Sequence, residues 1–156
     1  MAKSAKPYFP VFMDISEKKI FVIGAGTIAK RRIRSLIEFT NHLTVVAPEV
    51  NPELLGLEEK GRITILKKNF EEEDIRDADM VIVATNDHSL NNCIYEYCKK
   101  NGIFVNVSSD KHKCDFYFPG LAMKDNVVVG VTANGTNHKK ARLAVEKIRE
   151  LLETCW

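Results

Sequence analysis

Lys19-Ile20-Phe21-Val22-Ile23-Gly24-Ala25-Gly26-Thr27-Ile28-Ala29-Lys30 decides the fold of this chain. An apolar run, Ile20 to Ile23, stops at two glycines one residue apart, and Ile28, Ile33, Leu36 and Ile37 then recur at helical spacing. The pattern predicts a buried parallel strand, a tight turn and the start of a helix. Gly24 permits the turn, and Gly26 leaves room for a close approach of backbone to phosphate. Ala29 stands where a third glycine is usual and still allows tight helix–strand packing. The free N–H groups and dipole of such a helix start attract a pyrophosphate. A strand–turn–helix whose glycines serve packing alone is the competing reading. The strand before the glycines and the helix after them favour dinucleotide binding.

Working outward, the 156 residues suffice for one domain with a real core, or for one domain and an appendage. With 45% apolar and 28% charged residues and a net charge of +2, the composition is that of an ordinary soluble domain. It shows no basic stripe with interleaved aromatics, so nucleic acid is not an expected partner. Nor is a membrane, since no run approaches a spanning helix and no signal peptide is recognisable. Met1 to Lys6 read as a disordered lead. Cys93, Cys98, Cys114 and Cys155 form no Cys-x-x-Cys pair, so free thiols in a reducing cytoplasm are expected and no metal site. Lys30, Arg31, Arg32 and Arg34 read either as a solvated helix face or as a contact to an anionic substrate.

Tyr8 to Asp14 is an apolar strap, expected along the edge of the sheet. Leu43 to Ala47 is a second strand, rich in β-branched residues, and completes a βαβ unit of roughly 30 residues. It ends in Pro48-Glu49, where Glu49 is placed to hold an adenosine ribose. No arginine follows for a 2′-phosphate, which favours NAD over NADP. Asn51-Pro52-Glu53 is a capped helix start and Gly61 its stop. Ile63 to Leu66 is a third strand. Glu71, Glu72, Glu73 and Asp74 cannot share one helical face and read as solvated surface. Met80 to Thr85 is a continuous apolar strand, hence central. Thr85 and Asn86, at its carboxyl end, are assigned to the ribose or nicotinamide side of the cofactor. A helix from Ser89 to about Lys100, capped by Asn86 or Asp87, leads to a fifth strand, Ile103 to Val107.

The pattern then changes. Ser108 to Lys113 is a polar loop. Asp115 to Gly120 and Val127 to Thr132 read as an antiparallel pair around Lys124-Asp125-Asn126, followed by a turn at Asn134 to Asn137. A last helix runs from about His138 to Glu153, with Ala141, Ala144, Val145, Ile148, Leu151 and Leu152 on one face. The expected architecture is therefore a Rossmann-type doubly wound parallel sheet over residues 1–113, followed by a β-β-α segment over 114–156. So small an appendage buries little by itself, and packing on a second copy, a homodimer, is expected.

Four stretches together resemble one family. They are Tyr8 to Phe12, Val22 to Arg32, Val83 to Asp87, and Asn106 to Asp110 with Cys114 to Pro119. The chain resembles the precorrin-2 dehydrogenase module of siroheme synthases along nearly its whole length. The resemblance implies NAD-dependent oxidation of the tetrapyrrole precorrin-2 to sirohydrochlorin, in some members with metal insertion. It implies a dimer formed by the segment after Asp115. It places the cofactor at Gly24, Gly26, Thr27, Ile28, Pro48, Glu49 and Thr85. The family's acid/base aspartate stands three residues after the motif asparagine. That position is Ser109 here with Asp110 beside it, so these two are the candidate catalytic residues.

Three functions compete at this point. One is a dehydrogenase that passes hydride to the nicotinamide and a proton to the loop. Another is a non-catalytic module that holds NAD or a tetrapyrrole for a partner enzyme. The third is insertion of iron or cobalt alone. Lys111, Lys113, Lys139, Lys140 and Arg142 are candidates for the substrate's carboxylates.

Overall fold

The structure is a computed structural model that describes residues 8–134 and 136–155. The expected lead Met1 to Lys6, Gly135 and Trp156 lie outside those residues. Two compact units are present, described separately below: residues 14–116, and residues 8–13 with 117–155.

The first unit holds five parallel strands: β1 (Ile20–Ile23), β2 (Leu43–Val46), β3 (Thr64–Leu66), β4 (Met80–Val83) and β5 (Phe104–Val107). Their order is β3-β2-β1-β4-β5. β1 pairs with β2 and β4 in register, Ile23 opposite both Val46 and Val83. Helices α1 (Thr27–Leu36), α2 (Pro52–Glu59) and α3 (His88–Asn101) connect them, with only a 3₁₀ turn, Glu72–Ile75, between β3 and β4. The doubly wound parallel sheet is thus as expected. Strand order reverses beside β1, so the chain leaves β1 and β4 in opposite directions and a crevice opens at their carboxyl ends.

Burial follows the pleat. On one face Ile23, Val46, Val81, Val83, Val105 and Val107 pack with Ile94 and Cys98 of α3. By the two-residue period Val22, Val45 and Ile82 point the other way, the side of α1 and α2. Ala29, Ile33 and Leu36 of α1 are buried, whereas Ile28 is 45% exposed and leaves the apolar stripe to which its spacing assigned it. Burial first, and then the charge of Asp115, pushes the Cys98 thiol up to about 12. Cys93 and Cys155 are exposed. A thiol reagent at mildly alkaline pH should therefore modify Cys93 and Cys155 in the folded protein and reach Cys98 only on unfolding. Mapping the labelled peptides checks this, and labelling of Cys98 as fast as Cys93 would contradict the packing.

The second unit contains β6 (Gly120–Lys124), β7 (Val127–Val131) and α4 (His138–Cys155). β6 and β7 are antiparallel, with Lys124 opposite Val127 across a two-residue turn whose Asp125 has φ +51°. The expected first strand, Asp115 to Gly120, is corrected: the strand begins where that stretch ends. Asn137 caps α4 by accepting from the Lys140 N–H at 2.9 Å. Val145, Ile148 and Leu152 pack on Ala122, Val127, Val129 and Val131, while Leu151 is 59% exposed. Of the expected strap, Tyr8 has its ring centroid 4.2 Å from that of Tyr117, tilted by 49°, and its N–H donates to Asn134 Oδ1 at 3.4 Å, both within this unit.

Candidate functional site

The crevice is built on Gly24. Its φ of +105° lies in the region that favours glycine, and its N–H donates to Val46 O at 2.9 Å. A Cβ there would stand 2.5 Å from the Ala84 carbonyl oxygen. The absent side chain is what lets the ends of β1 and β4 meet. Gly26 differs: a Cβ built on it meets nothing within 4 Å. It is the N-cap of α1, without a side-chain capping bond, and the first turn carries no acid. Gly26, Thr27 and Ile28 are exposed. The helix thus offers unpaired N–H groups and its positive end to open space, which fits a diphosphate.

The walls come from the next strand ends. Pro48 and Glu49 form an exposed bend just past β2. Beyond β4, Thr85 turns the chain into α3. Its hydroxyl donates to Asn91 Oδ1 at 2.5 Å and accepts from the Asp87 N–H at 3.1 Å. Asn91 Nδ2 donates back to the Thr85 carbonyl at 3.1 Å. Asp87 caps α3 through the Leu90 N–H at 2.9 Å. Asn86 stands exposed between these anchored neighbours. Gly24, Gly26, Thr27, Ile28, Pro48, Glu49, Thr85 and Asn86 therefore follow the carboxyl ends of three neighbouring inner strands, β2, β1 and β4.

Past β5 the polar loop closes on itself. Asp110 accepts from the His112 N–H at 2.9 Å and caps a short 3₁₀ turn, Lys111–Lys113. Its carbonyl receives the Cys114 thiol at 3.2 Å. Ser109 is exposed and Asp110 half-buried. The returning segment is tied to β5: Asp115 N–H donates to Val105 O at 2.8 Å, and Asn106 Nδ2 donates to Phe116 O at 2.8 Å. Lys113 reaches Asn92 and lies 5.7 Å over the Tyr95 ring, so it braces the loop against α3. Lys111, Lys139, Lys140 and Arg142 are exposed.

The basic run of α1 divides. Lys30 and Arg34 both pair with Glu53 of α2. Arg32 turns inward, and burial, with the neighbouring charge of Arg31, brings its guanidinium down to about 10. Neither sequence reading of that run anticipated an ion-paired seam between helices. Among the acids, Glu71 and Asp74 share Lys68, and Glu73 faces Arg76 at 3.3 Å. Asn91, buried, was also missed, and the burial of the motif residue Asn106 was not anticipated. A polar residue on the apolar face of a helix (Asn91, with Ile94 and Cys98) or inside an apolar strand (Asn106) is the signal that finds them.

A doubly wound sheet with a glycine turn, an uncapped helix start and polar strand ends at the switch point defines a dinucleotide-binding domain. Residues 11–120 match a family model described as "Putative NAD(P)-binding", and the chain belongs to that family. It is 36% identical over 144 residues to a protein of Ruminiclostridium josui named "Probable multifunctional siroheme biosynthesis protein HemA". That alignment takes in 92% of this chain and 28% of the relative. With a siroheme synthase of Blochmanniella pennsylvanica it shares 37% identity over 146 residues, 94% of this chain and 30% of the relative. The chain thus spans less than a third of these relatives' length. Among solved structures, "SirC, precorrin-2 dehydrogenase" superposes with a TM-score of 0.78 at 25% identity, covering 92% of this chain and 70% of that one. Among the described residues no helix is long and apolar enough to cross a membrane.

Proposed function

We propose that this chain oxidises precorrin-2 to sirohydrochlorin with NAD, as a cytoplasmic homodimer. The observation that carries the reading is the likeness to the precorrin-2 dehydrogenase fold over 92% of the chain, joined to a glycine turn shaped for a diphosphate. The N–H groups at Gly26, Thr27 and Ile28 hold the diphosphate. Pro48 and Glu49 take the adenosine side, and Thr85 and Asn86 the nicotinamide side. Bound NAD supplies the hydride acceptor. The macrocycle also gives up a proton, and the Asp110 carboxylate receives it, with the Ser109 hydroxyl beside it as a hydrogen-bonding group. Lys111 favours the substrate's carboxylates.

The capping role of Asp110 supports a second reading, a module that binds without turnover. Formation of NADH on adding precorrin-2 to the purified chain separates the two. Asp110→Asn keeps an acceptor for the His112 N–H while removing the base. It should lower kcat by about 10²- to 10⁴-fold with the NAD dissociation constant unchanged. Ser109→Ala should have the smaller effect. Wild-type turnover in both variants would dismiss the loop as the proton acceptor. A monomer mass in sedimentation equilibrium would dismiss the dimer.

A further inference from the structure

Glu53 stands in the first turn of α2, where its backbone N–H is capped by Asn51 Oδ1 at 3.0 Å. Its carboxylate spans two cations of α1, Lys30 at 2.7 Å and Arg34. The two cations lie four residues apart, on the face of α1 turned towards α2. The hydrogen bond from Lys30 comes first, and the charges of Lys30 and Arg34 add to it, in holding the Glu53 carboxyl below the usual carboxylate range. Lys30 sits in the turn that follows Gly26-Thr27, and α2 grows from the bend that carries Pro48 and Glu49. Arg34 lies in the last turn of α1, so the three charges form a seam between α1 and α2 whose Lys30–Glu53 end stands next to the carboxyl ends of β1 and β2, on the adenosine side of the crevice.

We propose that Glu53 is a specificity-determining positioning residue: it occupies Lys30 and Arg34 and so denies them to a 2′-phosphate, selecting NAD over NADP. This rests on the cofactor reading above. A 2′-phosphate brings about two negative charges, and dinucleotide folds that accept it supply a cation near this strand end. This chain has two such cations, but an acid already neutralises them. Glu49 adds a further negative charge at the same edge. A 2′-phosphate must displace Glu53 or remain beside two carboxylates, whereas a ribose hydroxyl meets neither obstacle.

Calorimetric titration of wild type and Glu53→Gln with NAD⁺ and NADP⁺ tests this. Wild type should prefer NAD⁺. Glu53→Gln should gain about tenfold in NADP⁺ affinity, the size of one charge-assisted contact, with NAD⁺ affinity within about twofold. The gain should vanish on adding Lys30→Met, and it should shrink at high salt because these groups are partly exposed. A general loosening of the helix seam would weaken both cofactors together, so the ratio reports selection and not folding. No gain for NADP⁺, parallel changes in both affinities, or a wild type that binds the two alike would overturn the inference and leave the cofactor reading standing. A wild type that binds neither cofactor would remove both.

Discussion

Gly26→Asp is expected to reduce NAD⁺ affinity by about 100-fold or more while leaving the melting temperature unchanged or slightly higher. The two effects have separate causes. Gly26 has φ −80° and ψ −166°, extended backbone that any residue adopts. A Cβ there meets nothing within 4 Å, so the side chain has room. Aspartate is a good N-cap, a few tenths of a kcal/mol better than glycine, and it favours the positive end of α1. Folding therefore loses nothing. Binding loses heavily, because the carboxylate takes the open space and the N–H groups that a diphosphate needs. Like charges brought together in a binding site cost several kcal/mol, which is where the 100-fold comes from. Calorimetry with NAD⁺ and a thermal melt on the same sample decide it. Undiminished affinity would sink the phosphate turn, and a collapsed melting temperature would show that Gly26 serves packing.

The parallel sheet was legible because each strand is a short run of apolar residues closed by a turn signal, and every helix start except that of α1 carries a side-chain cap in the sequence. Asn51, Asp87 and Asn137 are examples, each accepting the backbone N–H that its position demands. The antiparallel pair was misplaced by nearly the whole of its first strand, the expected and observed stretches sharing only Gly120. Phe116, Tyr117 and Phe118 look like strand residues, but Asp115 and Phe116 are tied back to β5 by the Val105 and Asn106 bonds, and Pro119 has no N–H to offer a ladder. The two-residue turn at Asp125-Asn126 then fixes the register, and counting back from Lys124 opposite Val127 places the strand at Gly120–Lys124. Turn length was the better guide, and apolar content misled.

For the proposed site, the sequence named residues at the strand ends but not the partnerships across them. Glycines and polar strand ends report where a ligand fits, because backbone geometry is local. That Lys30 and Arg34 meet Glu53, nineteen or more residues on, depends on how α1 and α2 pack. No spacing rule within one helix reveals it. The strap shows the same limit: apolarity does not say that Tyr8 meets Tyr117 while Phe9, Val11 and Phe12 stay exposed.

Gly24→Ala should show the opposite pattern to Gly26→Asp, with a large loss of stability. Two costs add. At φ +105° an alanine is held in backbone that L-residues rarely adopt, and its Cβ would press on the Ala84 carbonyl, 2.5 Å from the oxygen and 2.8 Å from the carbon. The obstacle is main chain, so no rotamer change relieves it. The strand end it belongs to is also fixed, through the Ala84 N–H to Ile23 O at 2.8 Å and the Ser108 N–H to Val83 O at 2.9 Å. Backbone strain of this kind and overpacking cost about 1–3 kcal/mol each. Together they should lower the melting temperature by about 10 °C. Relief requires the carboxyl ends of β1 and β4 to part, and NAD⁺ affinity in the surviving folded protein should fall with it. A variant that melts within about 2 °C of wild type, a shift worth only about 1 kcal/mol, would mean that the two strand ends do not meet as described. The crevice between them would then need a different floor.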